Sequence, residues 1–341
     1  MIAPLDWGLG HITRCTPIIQ KLITSGHQVI SCGNKNAGII FKEHFPEIEH
    51  HLIDGYNVKY SKRKSQAISM IMQSPKFFKV INKEKKIAEA LSTKLDIDYV
   101  ISDNRFGFRS TKTTNVFICH QIHIQGPKLL MPIFYKINSH FIKQFDHCWI
   151  PDHNRNNNLS GILSGNPKPK NCSFIGPLSR FNEQANSQSY KYKYLAILSG
   201  PEPQRSLLEE IVIAQFLKQN CNCAIIGGNP EGNTYIENNI AYFNHLKTED
   251  FFNLVKSSEF LIARSGYSNI MDLSVLNKNV ILIPTPGQTE QEYLAKYHSM
   301  NSNTRWVNQS NFHLNGNNNF GKIQPFKDED LLEQELTKIG L

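Results

Sequence analysis

Along the first half of the chain, short apolar runs alternate with longer stretches in which apolar residues return every three or four positions. The former suit buried strands and the latter amphipathic helices. Ile2-Ala3-Pro4-Leu5 ends a strand, and a glycine-bearing turn, Gly8-Leu9-Gly10-His11, follows. Ile12, Cys15, Ile18, Ile19 and Leu22 then recur at helical spacing, Gly26 closes the helix, and Gln28 to Cys32 reads as the next strand. Tyr99-Val100-Ile101, Asn115 to Cys119 and Cys148-Trp149-Ile150 continue the strand series. The first strand is short ahead of its turn, which leaves room for a native start upstream of Met1.

The pattern breaks between residues 176 and 193, where Gly176-Pro177-Leu178 leads into a polar stretch rich in Asn, Gln, Ser and Lys. It restarts with Tyr194 to Leu198, a turn at Ser199-Gly200-Pro201, and a helix carrying Leu207, Leu208, Ile211 and Ala214. Phe260 to Ala263 runs into Ser265-Gly266, and Val280 to Ile283 runs into Pro284. Repeated strand–helix alternation predicts an α/β fold with parallel sheets covered by helices on both faces. We expect two Rossmann-like domains, residues 1–180 and 194–341, joined by a linker at 181–193.

A length of 341 residues suffices for two cores, and 40% hydrophobic with 19% charged residues suits a soluble globular protein. No apolar run reaches the roughly 18 residues of a spanning helix, and no basic-then-apolar leader opens the chain. The seven cysteines are scattered without a CxxC pair, so buried reduced thiols and a cytoplasmic location are expected. A formal charge of +8 favours anionic partners. No aromatic-interleaved recognition motif accompanies it, so nucleic acid is not expected.

The most specific chemistry lies in the second half. Arg264-Ser265-Gly266 joins a strand to a helix whose first N–H groups and positive dipole end can take a phosphate. Asp272, six residues after Gly266, can accept hydrogen bonds from a ribose diol. The next strand ends in the polar loop Pro284 to Gln291, where Gln288, Glu290 and Gln291 suit sugar hydroxyls. Singly, these are a plain cap, a solvated aspartate and a turn; their order and spacing in one unit raise the combination above each part.

That constellation resembles the C-terminal half of glycosyltransferase family 28, which includes the N-acetylglucosaminyltransferase of lipid-linked peptidoglycan precursor synthesis. The resemblance implies a GT-B fold, two Rossmann-like domains facing across a cleft, with donor binding in the second domain and acceptor binding in the first. Arg264, Ser265 and Gly266 match the family pattern, Asp272 stands for its ribose-binding glutamate, and Gln291 falls at a glutamine that contacts the donor sugar. Glu292 and Ala295 depart from a second glutamine and an asparagine, which leaves the transferred sugar open. Gly200 lies where the family has a glycine- and serine-rich loop, and Arg205 nearby can compensate the leaving diphosphate. The fold implies a reaction without cofactor or metal, and the family implies inversion.

Asp6-Trp7-Gly8-Leu9-Gly10-His11 resembles the glycine turn after the first strand of family 28, and the start of a bacterial subgroup beginning with DWGLGH. His11 suits general-base work, and Asp103, closing another strand, is a base or a partner orienting His11. His120, with His123 close behind, is a further candidate, and Gly8 and Gly10 shape an acceptor-side loop. Asp96-Ile97-Asp98 spells a metal-binding DxD but precedes its strand, so it reads as a polar strand entry. Residues 59–90 mix lysines and Arg63 with apolar positions; this is a solvated amphipathic helix or a peripheral hold on an anionic membrane face. The expected partners are a nucleoside-diphosphate sugar, most simply a UDP-sugar, and a glycan or lipid-linked acceptor. A sugar-nucleotide epimerase and a non-catalytic sugar-nucleotide or glycan binder are the competing classes.

Overall fold

The structure, a computed structural model, describes residues 1–55, 74–228, 234–314, 319–325 and 330–341. Contacts divide the chain into two units, Met1–Leu178 with Asp328–Leu341, and Ser179–Lys327. Lys59, Lys62, Arg63 and Lys64 of the basic segment lie outside the described residues.

In the first unit the strands are β1 (Ile2–Pro4), β2 (Ile30–Gly33), β3 (Glu49–Leu52), β4 (Tyr99–Asp103), β5 (Thr114–Ile118), β6 (His147–Ile150) and β7 (Cys172–Phe174). Helices α1 (Leu9–Thr24), α2 (Lys35–His44), α3 (Ser74–Lys94) and α4 (Met131–Ile142) run between them. The sheet order is β3-β2-β1-β4-β5-β6-β7, with every pairing parallel. The central strands are apolar because helices cover both faces: Val116, Phe117 and Ile118 of β5 are all fully buried. Helix α1 buries the face predicted from its spacing, Ile12, Cys15, Ile18, Ile19 and Leu22. Pro17 inside it removes the N–H that would reach the Thr13 carbonyl, and the Thr16 hydroxyl donates to that carbonyl instead at 2.7 Å.

The second unit repeats the plan. Its strands are β8 (Tyr192–Ile197), β9 (Cys223–Ile226), β10 (Tyr235–Glu237), β11 (Ile240–Phe243), β12 (Ser258–Ala263), β13 (Asn279–Leu282), β14 (Arg305–Trp306) and β15 (Gly321–Lys322). Helices α5 (Gln204–Phe216), α6 (Thr248–Lys256), α7 (Tyr267–Leu276) and α8 (Thr289–Asn301) connect them. The order is β10-β11-β9-β8-β12-β13-β14; β10 and β15 pair antiparallel, to β11 and β13, and the other pairings are parallel. Leu208, Val212 and Phe216 of α5 pack on Tyr194, Ala196 and Ile225 of the sheet.

In both sheets the strand order reverses beside the unit's first strand, between β1 and β4 and between β8 and β12. Open α/β sheets bind ligands outside the strands' carboxyl ends at this reversal, because flanking loops diverge there.

The division differs from the sequence reading in two places. The last helix, α9 (Leu331–Lys338), belongs to the first unit, not to the second as 194–341 implied. Lys21 of α1 bonds Asp330 and Glu333, and the Tyr99 hydroxyl donates to the Ile339 carbonyl at 2.8 Å. Part of the stretch read as a linker is laid on the second unit: Phe181 and Ala185 are buried, and the Ala185 N–H donates to Leu276. All seven cysteines are free thiols, five of them buried.

A buried ion pair ties the end of β1 to α3 in the first unit. Arg105 is fully buried, its Nη1 lies 2.7 Å from Glu84, and its Nε donates to the Pro4 carbonyl at 2.7 Å. Removing one partner leaves the other charge stranded, a loss of roughly 3–5 kcal/mol. Arg105→Met should therefore lower the first unit's urea midpoint sharply, and adding Glu84→Leu should recover part of that loss; equal loss in single and double variants would contradict it.

Candidate functional site

At the reversal of the first sheet, β1 feeds a turn that ends at Gly8, whose φ of 107° and ψ of 170° suit glycine alone. The turn sets His11 in the first turn of α1, a helix with no side-chain cap. Across from it, β4 ends at Asp103, paired in register with Pro4 of β1. The structure brings these two predicted residues together: His11 Nδ1 lies 3.0 Å from Asp103 Oδ2.

A third residue, Arg14, completes the group. One turn along α1 from His11 and only 2% exposed, it donates through Nε to Asp103 at 2.9 Å and through Nη2 to the other carboxylate oxygen. Its Nη1 lies 3.3 Å from His120 Nδ1. A guanidinium only donates, so this His120 nitrogen accepts, which makes His120 a partner of Arg14.

The electrostatics follow from this arrangement. Burial alone would raise the Asp103 pKa, but Arg14 and then His11 outweigh it and hold the carboxyl at about 2. Asp103 is thus a carboxylate that accepts only, and His11 Nδ1 must carry the proton between them. Burial, then the Arg14 charge, pushes the His11 pKa below its ordinary value, against the pull of Asp103. At neutral pH His11 is therefore an uncharged imidazole with Nδ1–H fixed and a lone pair on Nε2. His123 stacks on Tyr135, and its Nε2 lies within hydrogen-bond distance of the Gly165 and Pro167 carbonyls.

In the second unit the residues sit at the ends of β8, β12 and β13. Gly200 follows β8 with φ 103°, and Gly266 caps α7 directly after β12. Ser265 is fully buried, and its hydroxyl donates to the Gln291 carbonyl at 2.7 Å. The Gln291 side-chain oxygen accepts from the Thr285 N–H at 2.9 Å, while its Nε2 stands 3.7 Å from where a Cβ on Gly266 would be. These bonds fold the 284–291 loop onto the start of α7. Gln288 and Glu290 lie half-buried at the start of α8, and Glu292 ties the loop by accepting from Gly287 N–H at 2.9 Å.

Two basic residues behave differently from expectation. Arg264 is fully buried, and its guanidinium donates to the carbonyls of Ile283, Pro284 and Gln204 at 3.2, 3.2 and 2.7 Å. It clamps strand ends to α5. No carboxylate among the described residues pairs with it, and burial lowers its pKa to about 10, which leaves it protonated at neutral pH. Arg205 is instead fully neutralised, with Nε 2.7 Å from Glu202 and Nη1 2.8 Å from Glu209. The acid three residues before it, ahead of α5, and the acid four residues after it, one turn along the helix, account for this pairing.

Asp272 is mostly buried on α7. It accepts the Ser179 hydroxyl at 2.8 Å and lies 3.3 Å from Arg180, whose guanidinium sits 4.1 Å above the centre of the Phe251 ring. Burial raises its pKa against the pull of Arg180. A carboxylate has about four lone-pair sites, so these partners leave acceptor capacity. Arg14, Ser179 and Arg180 were not foreseen. Arg14 left a signal, a charged residue amid α1's apolar positions; Ser179 and Arg180 left none, because their partner is some 90 residues away. Asp96 and Asp98 precede β4 as expected, and no three metal-ligating side chains converge among the described residues.

Residues 225–316 match the glycosyltransferase family 28 C-terminal domain. The chain is 24% identical to an uncharacterized glycosyltransferase of Methanosarcina mazei, over 84% of this chain and 80% of that protein. A second, from Methanosarcina acetivorans, is 25% identical over 84% of this chain and 77% of its own length. These relatives are archaeal, whereas the DWGLGH resemblance pointed to bacteria. Among solved structures, spinosyn rhamnosyltransferase SpnG is similar with a TM-score of 0.60 and 12% identity, covering 100% of this chain and 91% of that one. MurG of Acinetobacter baumannii gives 0.52 and 13%, covering 100% and 90%.

The depressed pKa of Asp103 has a consequence for stability. A group held below its unfolded value stabilises the fold above that value and loses the contribution as pH falls through the folded one. From 3.8 down to about 2 this amounts to about 2 kcal/mol. Asp103→Asn should lower the melting temperature at pH 7, and the gap from wild type should narrow below pH 4; a pH-independent gap would refute the assignment. With two parallel-sheet units of the GT-B kind, a family 28 C-terminal domain inside the second, and glycosyltransferase relatives along most of its length, the chain is a glycosyltransferase.

Proposed function

We propose that the enzyme moves a sugar from a nucleoside diphosphate, a UDP-sugar, to a hydroxyl of a glycan or lipid-linked acceptor, inverting the anomeric centre without a metal. The observation that carries this reading is the neutral His11, its Nδ1–H fixed on Asp103 and its Nε2 lone pair available as a base. The acceptor hydroxyl gives its proton to Nε2 as its oxygen attacks the anomeric carbon. The diphosphate leaves from the opposite side, so the configuration inverts. Asp103 stabilises the imidazolium that forms, and Arg14 keeps Asp103 ionised throughout.

On the donor side, the α7 N-terminus at Ser265-Gly266 and the uncompensated Arg264 charge behind it supply positive potential for the diphosphate. Gly200 lets the chain turn close to it. Asp272 is proposed for the ribose diol, and Gln288, Glu290 and Gln291 for the sugar hydroxyls. That a SpnG structure contains thymidine diphosphate supports a nucleoside diphosphate here as well. The division into an acceptor-binding first unit and a donor-binding second unit is part of the same proposal.

A thermal-shift screen against UDP-, GDP- and dTDP-sugars tests the donor, with the largest stabilisation expected from a UDP-sugar. His11→Ala should lower kcat by roughly 10²–10⁴-fold while donor affinity stays unchanged. Because the base must be uncharged, wild-type kcat/KM should fall on the acid side with an apparent pKa below 6.5. Turnover unaffected in His11→Ala would remove the residue from the mechanism, and release of an epimer or free sugar without acceptor would favour the epimerase class.

A further inference from the structure

We infer that Thr285 is a further donor-binding residue, its hydroxyl donating a hydrogen bond to the diphosphate of the sugar nucleotide. This rests on the reading of the second unit's strand ends as the donor site. Thr285 follows Pro284 just beyond the carboxyl end of β13 and is 1% exposed. Its Oγ1 is buried and has no hydrogen-bond partner among the described residues. A buried hydroxyl without a partner costs stability that a valine of the same shape would not. Buried polar groups are otherwise nearly always bonded, so this hydroxyl calls for an acceptor that the described residues do not provide.

The surroundings specify that acceptor. A Cβ built on Gly200 would lie 3.8 Å from Oγ1, so the hydroxyl faces the glycine turn after β8. The Thr285 N–H is held by Gln291, whose side-chain nitrogen lies beside Gly266 at the α7 N-terminus. On the other side, the Pro284 carbonyl takes a hydrogen bond from Arg264, whose buried charge has no carboxylate partner among the described residues. A donor hydroxyl facing a backbone turn, on a loop tied to a helix N-terminus and to a guanidinium that no carboxylate among the described residues neutralises, suits an anion rich in acceptor oxygens. Within the donor reading, that anion is the diphosphate.

The test is affinity for UDP, GDP and dTDP, measured by calorimetry on the full chain with Thr285→Val, Thr285→Ala and Thr285→Ser. Losing one hydrogen bond to a charged oxygen should weaken the best-bound nucleotide roughly 10- to 100-fold in the Val and Ala variants. Serine, which keeps the hydroxyl, should stay within about threefold of wild type, and the valine variant's unliganded melting temperature should not fall. A purely structural residue would give the opposite pairing, with lower stability and unchanged affinity. Val and Ala affinities within about twofold of a wild type that binds would overturn the assignment of Thr285 alone. A wild type that binds none of the three nucleotides would instead remove the donor reading itself.

Discussion

The first unit's chemistry depends on the buried pair Arg14–Asp103. Two charges taken out of water survive together only if each satisfies the other, and here the guanidinium meets both carboxylate oxygens. The pairing does more than neutralise. With Arg14 holding Asp103 near a pKa of about 2, the carboxylate can act only as an acceptor, which fixes the His11 tautomer. Burial, and then the same arginine charge, lowers the His11 pKa against the opposing pull of Asp103. In the proposed mechanism the arginine is thus a positioning residue, acting on the protonation of its neighbours.

Topology explains why the groups meet. In each sheet the first strand lies in the interior, and the chain leaves it to one side before returning to the other. The loops after β1 and β4, and after β8 and β12, therefore part from each other and leave the strand ends uncovered. His11 and Asp103 are separated by 92 residues in sequence but are adjacent because their strands are. The Ser265-Gly266 turn and Gly200 share the equivalent place in the second unit, with the 284–291 loop on the next strand.

Much of this was legible in the sequence because it is local. Strand ends, the glycine turn and the amphipathic face of α1 are set by patterns spanning a few residues, and Asp103 could be placed from the strand it terminates. What was not legible is pairing at a distance. Arg205 looked like an available cation at a helix start, yet its availability was decided by Glu202 and Glu209. Arg264 matched a family motif, but its orientation depended on carbonyls of two other segments. Likewise α9 carries no mark of which unit it joins; Lys21 and Tyr99 hold it to the first.

The two units differ in how they treat charge, and the difference matches the two demands of glycosyl transfer. In the first, the buried charges cancel, which suits a neutral base that must accept a proton without competing ions. In the second, Arg264 is buried with no carboxylate partner among the described residues. An uncompensated buried cation is costly in an unliganded fold, and three carbonyl hydrogen bonds only partly offset it. In the proposed reaction that cost is recovered when the anion binds, because a preorganised charge needs no rearrangement to act on the departing diphosphate. In the proposed mechanism, acid–base work and leaving-group stabilisation thereby fall to separate units, each with the electrostatics its own step requires.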